Sequence, residues 1–366
     1  LAQTAPYGIG KVQANLVSDG NAANTTVCII DSGIDAQHED HAGNKLAGEY
    51  DSGTGNWYTD ENHHGTHVAG TIAAVSNTLG VVGVLPGKTV NLWIVKVFGA
   101  DGWAYSSNLV AALDKCVKKK TAGTNLVINM SLGGSLKSRF EETSFASAYT
   151  NQNVLSVAAA GNDGTSRNSY PASYSSVISV AAVDAQNVRA SFSQYNSQVE
   201  LAAPGVAVLS TVPTGSVSTA AVTAGTLAPA AEPMAGSPRT SVSNKGIVNC
   251  GIGDGTCAAA SGKICLIQRG TISFSDKVLN CQVSRGVAAI IYNNEAGALF
   301  GTLGGVATLI PSVGISADDG AAVLAQLTTS TTGSVAVTAS DYDYAYFDGT
   351  SMASPHVAGV AALVWS

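Results

Sequence analysis

The sequence predicts an α/β fold: a mostly parallel sheet flanked by helices, with a smaller strand-rich domain inserted late in the chain. Two observations predict it. Short apolar, β-branched runs alternate with helix-like segments as far as STVPTG at 210–215, the pattern of a parallel sheet covered on both faces. Beyond that point the pattern changes, and the helix-forming signature resumes only at Tyr346 and Phe347.

Taken in order, TTVCIIDSG (25–33) is a buried strand that ends in turn residues. HGTHVAGTIAAV (64–75) is a closely packed helix of small residues, and NLWIVKVF (91–98) is a second strand. SSNLVAALDKCVKKK (106–120) is a serine-capped helix, followed by the strand NLVINMSLGG (125–134). FASAYTNQ (145–152), NVLSVAAAGN (153–162), VISVAAV (177–183) and VELAAPG (199–205) continue the alternation. Residues near 216–240 are rich in Ala, Thr, Ser and Pro and show little periodicity. GKICLIQRG (262–270), GVAAIIYNN (286–294) and TLIPSVGIS (308–316) then supply strands with short connections. The domains expected are therefore 1–214 with 342–366, and an insert at 215–341 in a surface loop, where insertions are tolerated.

The 366 residues are enough for a large core, and with 40 glycines and 12% charged residues the chain is compact and loop-rich. A formal net charge of −7 argues against a nucleic-acid partner. No apolar run reaches the length of a membrane span, so no membrane partner is expected. LAQTAPYGIG at the start lacks the basic and apolar parts of a leader peptide. The six cysteines show no C-x-x-C spacing and are even in number, which points to disulfides and an oxidising compartment. Proximity favours Cys250–Cys257 and Cys265–Cys281 and leaves Cys28–Cys116, with buried free thiols as the alternative.

Three residues suggest chemistry only when taken together. Asp31 in IIDSG sits at the carboxyl end of a buried strand, His64 in HHGTH opens a helix, and Ser351 in GTSMASPHVAG opens another. Singly, each is ordinarily a turn former, a structural histidine or a cap. A serine hydroxyl becomes a useful nucleophile when a histidine takes its proton, and a buried carboxylate holds that histidine in the right tautomer. A G-x-S-x-G elbow is absent, and the chain order is Asp, His, Ser.

IIDSGID, HHGTHVAG and GTSMASPHVAG closely resemble the three active-site segments of the subtilisin-like serine proteases, and SLGG and AAAGN resemble two more in the expected order. The likeness covers 1–213 and 344–366. It implies a subtilisin-like sheet, with Asp31, His64 and Ser351 as the triad and Asn162 as the side-chain oxyanion donor. It further implies that an extended peptide pairs with Ser131, Leu132, Gly133 and Gly134 and with Trp103, Ala104 and Tyr105. Ala158, Ala159, Ala160 and Gly161 would form a wall of little bulk that admits a large apolar residue before the scissile bond.

The same resemblance implies calcium (Ca2+), with side chains from Gln3, Asp40 and Asn77 and carbonyls from Val75, Leu79 and Val81 in and around SNTLGV. The insert, with KICLIQRG, KVLNC and GVAAIIYNN, resembles a protease-associated (PA) domain. The expected protein is a secreted, monomeric endopeptidase acting on proteins or peptides. A catalytically weak peptide-binding protein and a non-proteolytic serine hydrolase are the alternatives. The family's domain continues with further helix and strand after the serine helix, whereas this sequence stops at Trp365-Ser366.

Overall fold

The computed structural model describes residues 2–99, 106–270, 272–303, 306–328, 330–340 and 342–366, and the chain divides into two compact units, Leu1–Ser216 with Tyr342–Ser366, and Val217–Asp341. In the first unit the strands are β1 (Thr25–Asp31), β2 (Lys45–Tyr50), β3 (Asn91–Lys96), β4 (Asn125–Met130), β5 (Val154–Ala159), β6 (Val177–Val183), β7 (Val199–Pro204) and β8 (Val208–Thr211). Its α-helices before Val217 are α1 (Tyr7–Lys11), α2 (His64–Ala73), α3 (Ser106–Val117) and α4 (Arg139–Gln152).

Strands β1 to β7 form one sheet in the order β2-β3-β1-β4-β5-β6-β7, and every neighbouring pair is parallel. Alternation along β1 explains its unbroken apolar run. Val27 and Ile29 face a core shared with Val68 and Ile72 of α2, while Cys28 and Ile30 face Leu113 and Cys116 of α3 and Phe145 of α4. A disulfide joins Cys28 to Cys116 across the second of these cores. The chain leaves β1 towards β2 and leaves β4 towards β5, so the connections diverge between β1 and β4. Open α/β sheets bind ligands at the carboxyl ends of strands at such a switch point.

The second unit has its own sheet, ordered β10-β14-β13-β12-β11-β15-β9. Its strands are β9 (Ser218–Ala224), β10 (Ala231–Pro233), β11 (Ser241–Asn249), β12 (Ile264–Gln268), β13 (Ala288–Tyr292), β14 (Ser312–Ile315) and β15 (Thr332–Ala339). Helices α5 (Phe274–Val283) and α6 (Ala317–Gln326) cover opposite faces, Val278 in one apolar cluster and Val323 in the other. Disulfides Cys250–Cys257 and Cys265–Cys281 lie here.

Three features differ from the sequence expectation. The stretch 216–240 contains β9 and β10, because the Ala and Thr residues of β9 pair with β15 despite their weak apolar signal. The connections after β12 and β14 hold helices α5 and α6. Tyr346 and Phe347 belong to a strand, β16 (Tyr344–Phe347), antiparallel to β8, and the final helix α7 (Thr350–Trp365) starts after Gly349.

Candidate active site

Asp31 closes β1 and is fully buried. Its Oδ1 accepts from the Ser32 N–H at 2.8 Å and lies 2.8 Å from Nδ1 of His64. His64 is the first residue of α2, and Gly65 allows the approach. A Cβ on Gly65 would sit 2.1 Å from the Gly33 carbonyl oxygen, so the first turn of α2 lies on the loop after β1 only because that side chain is missing. Burial opposes charging the His64 imidazole, but the charge and hydrogen bond of Asp31, with the charge of Asp60, outweigh it and hold the pKa above the ordinary histidine value.

Ser351 is the second residue of α7, whose small side chains let it run through the core against β1, β4–β7 and α2. Pro355 inside the helix has no N–H to offer the Ser351 carbonyl four residues earlier. The Ser131 hydroxyl takes that role, donating to Ser351 O at 2.7 Å, while Ser351 Oγ donates to Ser131 O at 3.0 Å. Behind them Ser354 Oγ donates to Asn129 Oδ1 at 2.7 Å, and Asn129 Nδ2 donates to Ser131 Oγ at 3.0 Å. Asn162, beyond β5, is anchored by Thr350, whose N–H and Oγ1 donate to Asn162 Oδ1 at 2.9 and 2.8 Å. With its oxygen so occupied, the amide must present Nδ2 elsewhere. Asp60, Thr350, Asn129 and Ser354 were not singled out from the sequence. An aspartate four residues before the helix-opening histidine is the one signal that could have found Asp60.

Of the expected peptide-binding edges, Trp103, Ala104 and Tyr105 lie outside the described residues. Ser131, Leu132 and Gly133 follow β4 at the carboxyl end of the sheet. The N–H and C=O of Gly134 both pair with Tyr170, at 2.9 and 2.8 Å. Ala158 packs in the core beside α3 and α4. Ala159 and Ala160 are buried, and Gly161 donates its N–H to Thr350 Oγ1 at 3.1 Å.

The residues expected to hold calcium do converge. Residues 2–4 pair with the 78–82 loop, and Gln3 Nε2 lies 3.4 Å from Val75 O, 3.1 Å from Asn77 Oδ1 and 3.4 Å from Leu79 O. Asn77 Nδ2 donates to Asp40 Oδ1 at 2.7 Å, and the Val81 N–H donates to Asp40 Oδ2 at 2.8 Å. One buried carboxylate, two amides and the Val75 and Leu79 carbonyls would give an all-oxygen donor set if the amides turned their oxygens inward, which suits a hard cation, while Val81 is placed here by its N–H. Among the described residues, no three His, Cys, Asp or Glu side chains gather as a metal site, and of the residues named here Asp40 is the one carboxylate.

The Subtilase family profile matches residues 22–243 and 287–366, and the PA domain profile matches 222–323. Subtilisin DY of Bacillus licheniformis is 44% identical over 219 residues, 58% of this chain and 76% of that protein. Subtilisin amylosacchariticus of Bacillus subtilis subsp. amylosacchariticus is 42% identical over 220 residues, and the match spans only 56% of its length. Among solved structures, the psychrophilic subtilisin-like protease Apa1 from the Antarctic psychrotroph Pseudoalteromonas sp. AS-11 aligns with a TM-score of 0.66 and 41% identity, over 100% of this chain and 88% of that one. A parallel sheet with the Asp31–His64 pair and Ser351 beside its switch point, and a family profile matched across both halves of the first unit, lead to one assignment: the chain belongs to the Subtilase family and is a serine protease of the subtilisin type.

Proposed function

We propose that this chain is a secreted endopeptidase that cleaves protein or peptide substrates through an acyl-enzyme formed on Ser351. The observation that carries this is the 2.8 Å Asp31–His64 pair at the sheet's switch point, with Ser351 at the start of α7 and Asn162 anchored beside it. For attack, the Ser351 hydroxyl turns from Ser131 O to His64 Nε2. Its oxygen adds to the scissile carbonyl carbon while His64 takes the proton and Asp31 stabilises the imidazolium. Asn162 Nδ2 and the Ser351 N–H donate to the new oxyanion. Collapse returns the proton from His64 to the departing amine and leaves an ester on Ser351. Water, deprotonated by His64, then hydrolyses the ester.

Turning Ser351 away also frees Ser131 O to accept from the substrate backbone, so Ser131–Gly133 serves as the edge for strand addition. The small residues Ala159, Ala160 and Gly161 leave room for a large apolar side chain before the scissile bond. Three disulfides fit an oxidising, extracellular location, and no helix among the described residues is long and apolar enough to cross a membrane. The enzyme acts as a monomer, without nucleic acid or membrane. Labelling with a fluorophosphonate should modify a single peptide, 349–359, at Ser351. An unlabelled folded protein, or label elsewhere, would refute the assignment.

Calcium would be held by Gln3, Asp40 and Asn77 side chains with the Val75, Leu79 and Val81 carbonyls, and it would brace the N-terminal segment against the 78–82 loop without entering the chemistry. Binding to the folded state alone stabilises by about 2.7 kcal/mol at a hundredfold excess over Kd. Chelation is therefore expected to lower Tm by about 5–10 °C for a unit of this size. Calorimetry with and without chelator measures it, and Asp40→Ala should remove the response to added calcium.

A further inference from the structure

The proposed reaction, on which this inference rests, uses one buried carboxylate, and the structure holds a second beside it. Asp60 is 6% exposed and receives five donors. Ser32 Oγ at 2.8 Å and the N–H groups of His63 at 3.0 Å and Asn62 at 3.2 Å reach Oδ1. The Thr66 N–H at 2.8 Å and Thr66 Oγ1 at 2.6 Å reach Oδ2. Burial, with the Asp31 charge, holds the Asp60 pKa above the ordinary carboxylate value, while the Thr66 and Ser32 hydrogen bonds pull against that rise. A shell made of donors fits the ionised form. Ser32 completes the link: its hydroxyl donates to Asp60 and accepts from the Gly65 N–H at 2.9 Å. One carboxylate thereby bridges the residue after Asp31 and the residues on both sides of His64.

We infer that Asp60 is a positioning residue of the catalytic centre, clamping the first turn of α2 onto the end of β1 so that His64 meets Asp31, and adding a second negative charge that favours the imidazolium. Among the described residues, the charged and titratable groups named next do not duplicate this. Asp31 supplies the direct hydrogen bond. Lys96, beside Asp31 on β3, is tied to Glu61 and to Thr59 O. His67 on α2 and His356 on α7 are held neutral by burial. Glu39, Asp40 and His41 lie by the far end of α2, where Asp40 O accepts from the Val75 N–H.

Removing the Asp60 charge leaves His64 easier to deprotonate, so its pKa falls and the neutral base survives to lower pH. In Asp60→Asn, the His64 pKa read by NMR and the acid limb of kcat/KM should both move down by about 0.5–1 pH unit. The plateau of kcat should drop about tenfold, with KM for a small peptide within about twofold. A folded Asp60→Asn protein with an unmoved acid limb would overturn the inference, because a merely structural role changes amplitude and not the limb. Ser32→Ala keeps the charge and removes the link to Gly65. It should leave the limb in place and lower kcat about threefold, and should Asp60→Asn fail to fold, wild-type kcat in Ser32→Ala would overturn the clamp. If fluorophosphonate never labels the parent protein, the protease reading fails, yet the NMR titration of His64 still tests Asp60.

Discussion

Ser351→Ala and His64→Ala are each expected to lower kcat for peptide hydrolysis by about a millionfold, and the double variant no further. The reason lies in the chemistry. Without His64 the hydroxyl keeps its proton, and without Ser351 the base has nothing to activate, so either loss removes the same step. The residual rate should come from Asn162 and from substrate alignment, and Asn162→Ala alone should cost about 10²–10³ in kcat. Burst and steady-state kinetics on a chromogenic peptide measure all four variants. Additive losses in the double variant would mean that the two residues do not act as a unit. The fold should survive Ser351→Ala, since the helix carbonyl at this position is satisfied by Ser131 Oγ and not by the Ser351 side chain.

The second large effect concerns acid. His67 is fully buried, stacks on Phe347 at a 4.3 Å centroid distance, and has Nε2 at 2.9 Å from Val208 O and 3.1 Å from Ala345 O. Burial pushes its pKa down to about 3. His356 is buried against α1, where a Cβ on Gly8 would lie 2.2 Å from its Nε2, and burial pushes its pKa down to about 4. Both pKa values are depressed, so the unfolded chain takes up protons below its ordinary histidine pKa while the native protein does not. Stability is therefore complete above about pH 6.5 and declines as pH falls towards 3–4, at about 1.4 kcal/mol per pH unit per histidine. By pH 4 that amounts to roughly 3 kcal/mol each. The raised pKa of His64 contributes stability already complete below about pH 6.5, so it is flat in this window. Denaturant midpoints at pH 7, 6 and 5 should fall steadily, and His356→Gln should lower the slope by about a third, because buried His41 is also held down to about 3. A midpoint constant over that range would contradict the argument.

The residues that make bonds in the proposed reaction were legible because each sits in a short segment of distinctive composition at the end of a recognisable strand or helix. Their supports were not. Thr350 matters through where its N–H points, and Asn129 and Ser354 meet across 225 positions of sequence, which no local pattern encodes. Asp60 lies in a polar turn, TDENHH, that looks like solvent-facing loop until its backbone wraps the carboxylate. The central strands were plain from their apolar runs. Edge strand β2, with a half-exposed KLAGEY, and β9, built of Ala and Thr, lack the contrast that marks a strand, and only their pairing partners define them. The aromatic residues of β16 read as a prelude to α7 because nothing nearby reveals β8 as their partner.

The route of α7 through the first unit also sets an order of assembly. Its neighbours β1, β4, β5, β6, β7 and α2 all precede the second unit in the chain, while α7 follows it. The Ser131–Ser351 bond spans 220 residues, so the core around α7 must stay unfilled while the whole intervening segment emerges from the ribosome. Such distant closures slow folding, because the loop entropy is lost before the contacts that reward it form. In the proposed mechanism, the hydroxyl, the imidazole and the oxyanion donors cannot meet until synthesis has passed the second unit, so a shorter nascent chain would carry no complete centre.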